Sequence, residues 1–580
     1  MREVLSPDAR RAIVEVARGD APADLLLANG RIVNVHSGEI HDAHLAIYDG
    51  RIVGFGEYEA REILDLQGQH VCPGLIDAHV HIESSMVTVP EFARAIIPRG
   101  TTAVVTDPHE IANVLGVPGI RYMLESSEGL PLHVFVMASS CVPATHMETS
   151  GARLDAKDLE SLFDHPRVIG LAEVMNFPGV YLGAPEVLAK IDAAGARPVD
   201  GHAPGLSGLP LNAYAAAGIG SEHEATDLEE AREKLRLGFQ IFIREGTTAR
   251  NLDALLPLVS PENAANCSLC TDDRHPADLL EEGHIDALIR MAIERDLNPV
   301  TAIQMATINT ARYFGLRGRG AIAPGYRADL IVFDGFEDFR PRKVFSDGEL
   351  VAEDGEYLGP RPQAPPHPGA GGAGGGVHVA WDELSFAVPS DGSKRARIIE
   401  AVPGQIVTGQ TIEALPAADG LAVADPERDI LKIAVIERHN ATGNIGLGFV
   451  RGFGLKRGAI ASTVAHDNHN IVIVGTDDDD MLAAARTVAA SGGGQAVVAG
   501  GQTLASVPLS IAGLMSELPL EEVRDRVEAM TQAARQLGGT LPDPLMTMSF
   551  LALAVIPQLK ITDLGLVDVA EFRLVPLFED

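Results

Sequence analysis

The chain opens with short runs in which apolar and polar residues alternate. ADLLLANGRIVNV, AHLAIYDGRIVGFG and REILDLQGQHVCPG, within residues 23–75, surround Asn-Gly and Asp-Gly turns. Alternation with period two around such turns predicts short strands joined by hairpins. GAIAPGYRADLIVFDG and KVFSDGELVAEDGEYLG, within residues 318–359, have the same texture. Two distant all-β pieces of like character predict one small β-sandwich interrupted by a large insertion.

The insertion, residues 76–317, follows another pattern. Eight apolar, β-branched runs occur in it or at its edge: GLIDAHVH, TTAVVTDPHE, HVFVMASS, VIGLAEVMN, PVDGHAPG, GIGSEHE, FQIFIREGT and NCSLCTDDRHP. Helical stretches such as VPEFARAIIPRG and ATDLEEAREKLRLG lie between them. Eight βα units in about 240 residues predict a closed, TIM-like (β/α)8 barrel. Residues 1–22 read as a short amphipathic helical extension, not a signal peptide. Residues 360–376 are rich in Pro and Gly without apolar periodicity and read as a tether or loop. Residues 377–580 alternate strands (RIIEAVPG, LKIAVIERH, STVAHDNHNIVIVG, QAVVAGG) with the helix DDMLAAARTVAASGG, which predicts a C-terminal α/β domain. No apolar stretch has the length of a membrane span.

Charge narrows the partners. With 46 Lys+Arg against 80 Asp+Glu in 580 residues, the formal charge is −34. That excess argues against nucleic acid and anionic membranes, which need clustered Lys and Arg, and its simplest effect is solubility. Four Cys cannot form a disulfide framework in a chain this long, so a reducing, cytoplasmic setting is expected. Cys267 and Cys270 form a C-x-x-C inside an apolar run and read as buried strand thiols rather than zinc ligands.

The chemistry sits at the ends of the runs. In such a barrel, side chains at the C-terminal ends of the strands converge on one mouth. Here the first run ends at His79-Val80-His81, the second at Asp107-Pro108-His109-Glu110, and the fourth at Glu173. The fifth ends at His202, the sixth at His223-Glu224 and the eighth at Asp272-Asp273. Residues i and i+2 of a strand point the same way, so His79 and His81 can grip one ion. Asp272, on the strand that closes against the first, can complete that group. His202 and His223 can hold a second ion, and Glu173, with two oxygens, can bridge the two. Paired ions sharing a hydroxide make a nucleophile at neutral pH. A single strand-end histidine is more often hydrogen-bonded structure than ligand. Six such residues in barrel order favour a metal centre, and N/O donors suit manganese, iron or zinc.

Other groups are less specific. Asp107, His109 and Glu110 can shape a substrate pocket or support the ligands from behind. Glu224 and Asp273 are candidates for substrate contact. Ser139, Ser140, Arg244 and Glu245 fall at the same mouth, but their spacing names no chemistry. The polar cluster His466-Asp467-Asn468-His469-Asn470 is either a structural network or a lid on the mouth, its own or a neighbouring subunit's.

PGLIDAHVHIESS, VTDPHEIANV, EVMNFPGV, DGHAPG, SEHE and TDDRHP resemble the amidohydrolase superfamily, and within it the adenine deaminase family. RHNATGNIGLGFVRGFGLKRGAIASTVAHDNHN and DPLMTMSFLALAVIPQLKITDLGLVDV resemble the C-terminal domain peculiar to that family. The resemblance implies a binuclear centre of Mn(2+) or Fe(2+), with Zn(2+) as an alternative, held by His79, His81, Glu173, His202, His223 and Asp272. Glu173 stands where many superfamily members carry a bridging carboxylated lysine. It further implies hydrolysis of adenine to hypoxanthine and ammonia in purine salvage, by attack of a metal-bridging hydroxide on C6. Asp272 is then the proton carrier, with Glu173 and His223 completing the catalytic set. The partners expected are adenine, water and further copies of the chain. Two positions depart from the family motifs: Glu222 replaces an Asp and Asn468 a Ser. Two competing readings remain: a hydrolase of another aminated base or cyclic amide on the same barrel, and a non-catalytic barrel, which should have lost its ligands where this chain keeps all six.

Overall fold

The computed structural model describes residues 5–368, 376–390 and 392–579. The first four residues of the expected N-terminal extension and residues 369–375 of the expected tether lie outside them. The N-terminal helix, Pro7–Ala17, starts where Ser6 Oγ accepts a hydrogen bond from Ala9 N at 3.1 Å.

The two β-rich segments form one nine-stranded sheet, joined where His70–Pro73 pairs antiparallel with Leu330–Phe333. The sheet folds back on itself: at its far edge Ile52 N donates to Tyr326 O at 2.9 Å and Ala328 N to Gly50 O at 2.9 Å. Leu27, Ile32, Leu45, Ile52, Leu330 and Phe345, drawn from both segments, share its buried core. The insertion therefore leaves and rejoins a single small domain, as the alternation predicts.

All eight barrel strands fall on the predicted runs: Leu75–Val80, Thr101–Thr106, His133–Ala138, Val168–Val174, Val199–Gly201, Ser221–Glu222, Gln240–Arg244 and Cys267–Cys270. The first five and the last three pair in parallel as two arcs. Gly220 N bonds to Val199 O at 2.9 Å across one junction, and Asp272 N to His79 O at 2.9 Å across the other. Most barrel strands are buried along their whole length, which is why they read as continuous apolar runs rather than alternating ones. Cys267 and Cys270 are buried free thiols in the eighth strand.

The C-terminal domain is more β-rich than its sequence suggests. Its eight-stranded sheet is antiparallel except where Arg395–Ala401 runs parallel to Ile445–Arg451. The run STVAHDNHNIVIVG, expected as one strand, is corrected to a hairpin: Ala459–Ser462 and Ile471–Gly475 pair antiparallel. Residues 463–470 form the connection, because a strand inside the sheet has no place for the five consecutive buried polar side chains of 466–470. Helix Asp478–Ala490 covers one face through Met481, Ala484, Ala485 and Val488. The domain is sewn to the barrel by Ser516 N to Met86 O (2.8 Å), Thr562 Oγ1 to Met147 O (2.6 Å) and Thr149 N to Asp563 Oδ1 (2.9 Å). No helix among the described residues is long and apolar enough to cross a membrane.

Gly446 marks the tightest approach inside this domain. A Cβ there would lie 1.8 Å from Thr562 O, a backbone atom that cannot swing away. Gly446→Ala is expected to cost about 3 kcal/mol or more, as overpacking against fixed structure does, read as a lowered midpoint in denaturant. A midpoint within experimental error of wild type would contradict this packing.

Candidate metal centre and active site

Closure of the barrel builds the first half of the site. Asp272, just beyond the eighth strand, adopts a left-handed backbone (φ +56°), which Asp tolerates better than most residues. Its N–H bonds to His79 O at 2.9 Å, and its carbonyl accepts from His81 N at 3.3 Å. The seam thus brings Asp272 Oδ1 to 3.0 Å from His81 Nε2 and 3.7 Å from His79 Nε2.

Glu173, on the fourth strand, faces this group across the barrel. Its Oε1 is 3.3 Å from His81 Nε2 and 3.6 Å from His79 Nε2. Its Oε2 is 2.7 Å from His202 Nδ1 and 3.4 Å from His223 Nε2. One carboxylate therefore addresses two histidine pairs with separate oxygens. All six predicted ligands are buried and come together, and Glu173 is 2 % exposed.

The donors point at one another in a way that calls for positive charge. His81 Nδ1 lies 2.9 Å from the Asp107 carbonyl, which can only accept, so this nitrogen carries the proton. Its Nε2 faces His79 Nε2 (3.0 Å), Glu173 and Asp272, and the two carboxylates raise its pKa well above normal against burial. Burial, with His223 and His81 beside it, holds the His79 pKa well below normal, in the neutral form that ligates. Burial would raise the Glu173 carboxyl, but hydrogen bonds from His202 and His223 outweigh it and keep it ionised. Asp272 is likewise kept ionised against burial, chiefly by Arg244 and then His81. His202 Nε2 and His223 Nδ1 are buried without a hydrogen-bond partner among the described residues. Donor triples such as His79/His81/Glu173 and Glu173/His202/His223 lie within 4.8 Å of one another, so these residues fit divalent ions.

A supporting layer fixes these groups. Arg244 Nη1 bonds Glu224 and Asp272 together, and its Nη2 is 3.0 Å from Glu224 Oε2. Asp107 accepts from Ser139 Oγ at 2.8 Å and lies 2.9 Å from His109 Nδ1. Both its oxygens are used, and Asp107 does not line the cleft; it orients His109. Glu222 pairs with Lys234 Nζ at 3.0 Å and accepts from Glu224 N at 2.6 Å, so this departure from the family motif sits behind the ligands.

The cleft in front of the donors takes in about 420 Å³, open solvent at its mouth included. His109, Glu110, Glu224 and Asp273 line it from the barrel, as expected. The opposite wall comes from the C-terminal domain of the same chain: Ile406, His466, Asp467, Phe550, Leu553 and Ile556. His466 stacks on Phe550 (4.4 Å, 11°), and its Nδ1 is 3.2 Å from Glu110 Oε1. Asp467 Oδ1 is 3.5 Å from His109 Nε2. The rest of that loop is structural: Asn468 Nδ2 donates to Glu148 Oε2 (3.1 Å) and Asn470 Nδ2 to Thr149 O (2.8 Å).

Three features were not singled out in the sequence. Arg244 carried no spacing signal. The apolar wall around Phe550 reads as ordinary core. Ser84, which donates to Glu110 Oε1 at 3.2 Å and contacts Asp273, had a usable signal: a polar Glu-Ser-Ser directly follows the H-x-H.

Comparison with known proteins places the chain in a family. Residues 70–351 match the amidohydrolase family, and residues 405–573 match the adenine deaminase C-terminal domain. Adenine deaminase of Desulfatibacillum aliphaticivorans is 53% identical over 569 residues, 98% of this chain and 99% of that one. Adenine deaminase of Methanothrix thermoacetophila is 51% identical over 571 residues, 98% and 99% of the two chains. Among solved structures, a β-aspartyl dipeptidase from Fervidobacterium islandicum AW-1 is 20% identical with a TM-score of 0.45, over 59% of this chain and 99% of that one. Through its barrel, its C-terminal domain and likeness over nearly its whole length, this chain belongs to the adenine deaminase family.

Proposed function

We propose that the chain hydrolyses adenine to hypoxanthine and ammonia at this cleft, with His79, His81, Glu173, His202, His223 and Asp272 holding two divalent ions, Mn(2+) or Fe(2+). The observation that carries the reading is Glu173, whose two oxygens serve separate histidine pairs beneath a wall made by the adenine deaminase C-terminal domain. When bound, such ions lower the pKa of water and supply a hydroxide nucleophile at neutral pH.

The chain's own residues account for the rest. At C6 a C–O bond forms and the C–N bond to the amine breaks, so both protons leave the attacking oxygen, one bound for the departing nitrogen and one for ring N1. Asp272, held ionised by Arg244, accepts the first and delivers it to the amine. Ring N1 must gain a proton as C6 becomes tetrahedral, and Glu110, Glu224 and Asp273 are the cleft carboxyls available to the ring nitrogens. Glu224 is held in place by Arg244, and His109 by Asp107. Phe550, Leu553 and Ile556 cover the ring and keep bulk water from the reacting carbon.

Two measurements test this. Asp272→Asn is expected to lower kcat for ammonia release from adenine at least about 1,000-fold, roughly 4 kcal/mol of barrier; activity within tenfold of wild type, at wild-type metal content, would remove Asp272 from the proton path. Chelated protein is expected to lose activity and to regain it at two equivalents of Mn(2+) per chain. Full activity at one equivalent, or release of ammonia from cytosine or ring opening of hydantoins without deamination of adenine, contradicts the assignment.

A further inference from the structure

Lys560 lies in the strand Leu559–Thr562 of the C-terminal domain and is fully buried. Its Nζ donates to two backbone carbonyls, Ile406 O at 2.7 Å and Phe550 O at 3.0 Å. No carboxylate among the described residues pairs with it. Burial alone pushes its ammonium down to about 7. A buried cation without a counter-charge is costly and is retained where its hydrogen bonds have a use. The two carbonyls belong to segments far apart in the chain, and both residues, Ile406 and Phe550, line the cleft opposite the metal donors. The same segments are laced beside Lys560 by Thr408 Oγ1 to Leu559 O (2.9 Å) and Gln558 N to Thr408 O (3.1 Å). Phe550 in turn carries His466, which reaches Glu110 at 3.2 Å.

We propose that Lys560 is a positioning residue for the substrate base: by tying Ile406 and Phe550 together it sets the distance between the apolar wall and the metal donors, and with it the place of His466. The inference rests on the reading of the cleft as an adenine site. Lys560 touches neither substrate nor ligands and acts through Phe550. Its removal therefore weakens binding of substrate and transition state together, which appears in KM and not in kcat.

The test uses the full-length, metal-loaded protein. Lys560→Met keeps the length and apolar stem of the side chain and loses both hydrogen bonds. It is expected to raise KM for adenine and Kd for hypoxanthine about tenfold, with kcat within about threefold and metal content unchanged. Lys432→Met is the control. Lys432 is also buried, donates to Phe386 O at 3.0 Å and pairs with Asp478 at 2.6 Å, but it does not line or support the cleft. It is expected to lower stability and leave KM unchanged. Phe550→Ala combined with Lys560→Met is expected to raise KM no further than Phe550→Ala alone, since both act on one element. If Lys560→Met does not accumulate folded, Lys560→Gln, whose amide can serve one carbonyl, is expected to raise KM about threefold. Wild-type KM in the folded variant, an equal rise in the control, or additive effects with Phe550→Ala overturns the role of Lys560. A wild-type chain that releases no ammonia from adenine overturns the reading of the cleft, and the inference with it.

Discussion

Glu173 is the group on which the site depends. It is 2 % exposed and ionised, and each of its oxygens meets a different pair of imidazoles. A single buried carboxylate can be accommodated by hydrogen bonds. Two carboxylates and four imidazoles with converging lone pairs cannot, unless protons or cations sit between them. The barrel forces this convergence because its strands end at one rim and because its closing seam bonds Asp272 to His79 and His81 through the backbone. The six donor positions, on five of the eight strands, are thus set by backbone hydrogen bonds, before any side chain has made a contact of its own.

The second constraint is the junction between the barrel and the C-terminal domain. The barrel rim is polar and ionic, whereas the wall facing it is mostly apolar, with His466 and Asp467 at its edge. Neither half encloses a ligand alone. Backbone and side-chain bonds such as Ser516 N to Met86 O and Thr562 Oγ1 to Met147 O hold the halves in register. The hairpin 463–470 is the narrowest link, since it carries His466 and Asp467 into the mouth and ties Asn468 and Asn470 to the loop after the third barrel strand.

The barrel and the convergence of six donors were legible because strand pattern and chemistry coincide: most runs are continuous and buried, and six of them end in residues that are conspicuous at a strand end. The folded-back sheet was legible from its Asn-Gly and Asp-Gly turns. Residues 462–475 were misread because their apolar flanks are those of one long strand. Only tertiary placement shows that the polar centre is a turn, since 463–470 is satisfied by partners more than 300 positions away in sequence, such as Glu148 and Thr149. Asp107 was assigned no single role at first because a strand-end carboxyl looks alike whether it faces a cleft or braces a histidine; its hydrogen bonds to His109 and Ser139 decide for the brace. Phe550 and Lys560 were invisible for a related reason. Core phenylalanines are common, and a lysine donating to two carbonyls leaves no spacing pattern.

Charge balance links the two domains. Glu110, Glu173, Glu224, Asp272 and Asp467 are buried and line one cleft, Glu83 and Asp107 are buried behind it, and Arg244 is the only guanidinium that lines it among the described residues. Part of that excess is relieved by protons: burial and Glu110 push Glu83 up to about 8, while His466, facing Glu110 and Asp467, is pushed up to about 10 against its own burial. Protons on His109 and His466 cover the outer carboxylates, Glu110 and Asp467, because those two imidazoles approach them directly. The inner pair, Glu173 and Asp272, shares protons too: His109 Nδ1 lies 3.4 Å from Glu173 Oε1, His202 and His223 donate to Glu173, and His81 to Asp272. The six inner donors fit divalent ions, which would take the place of those protons at a position the backbone has already prepared.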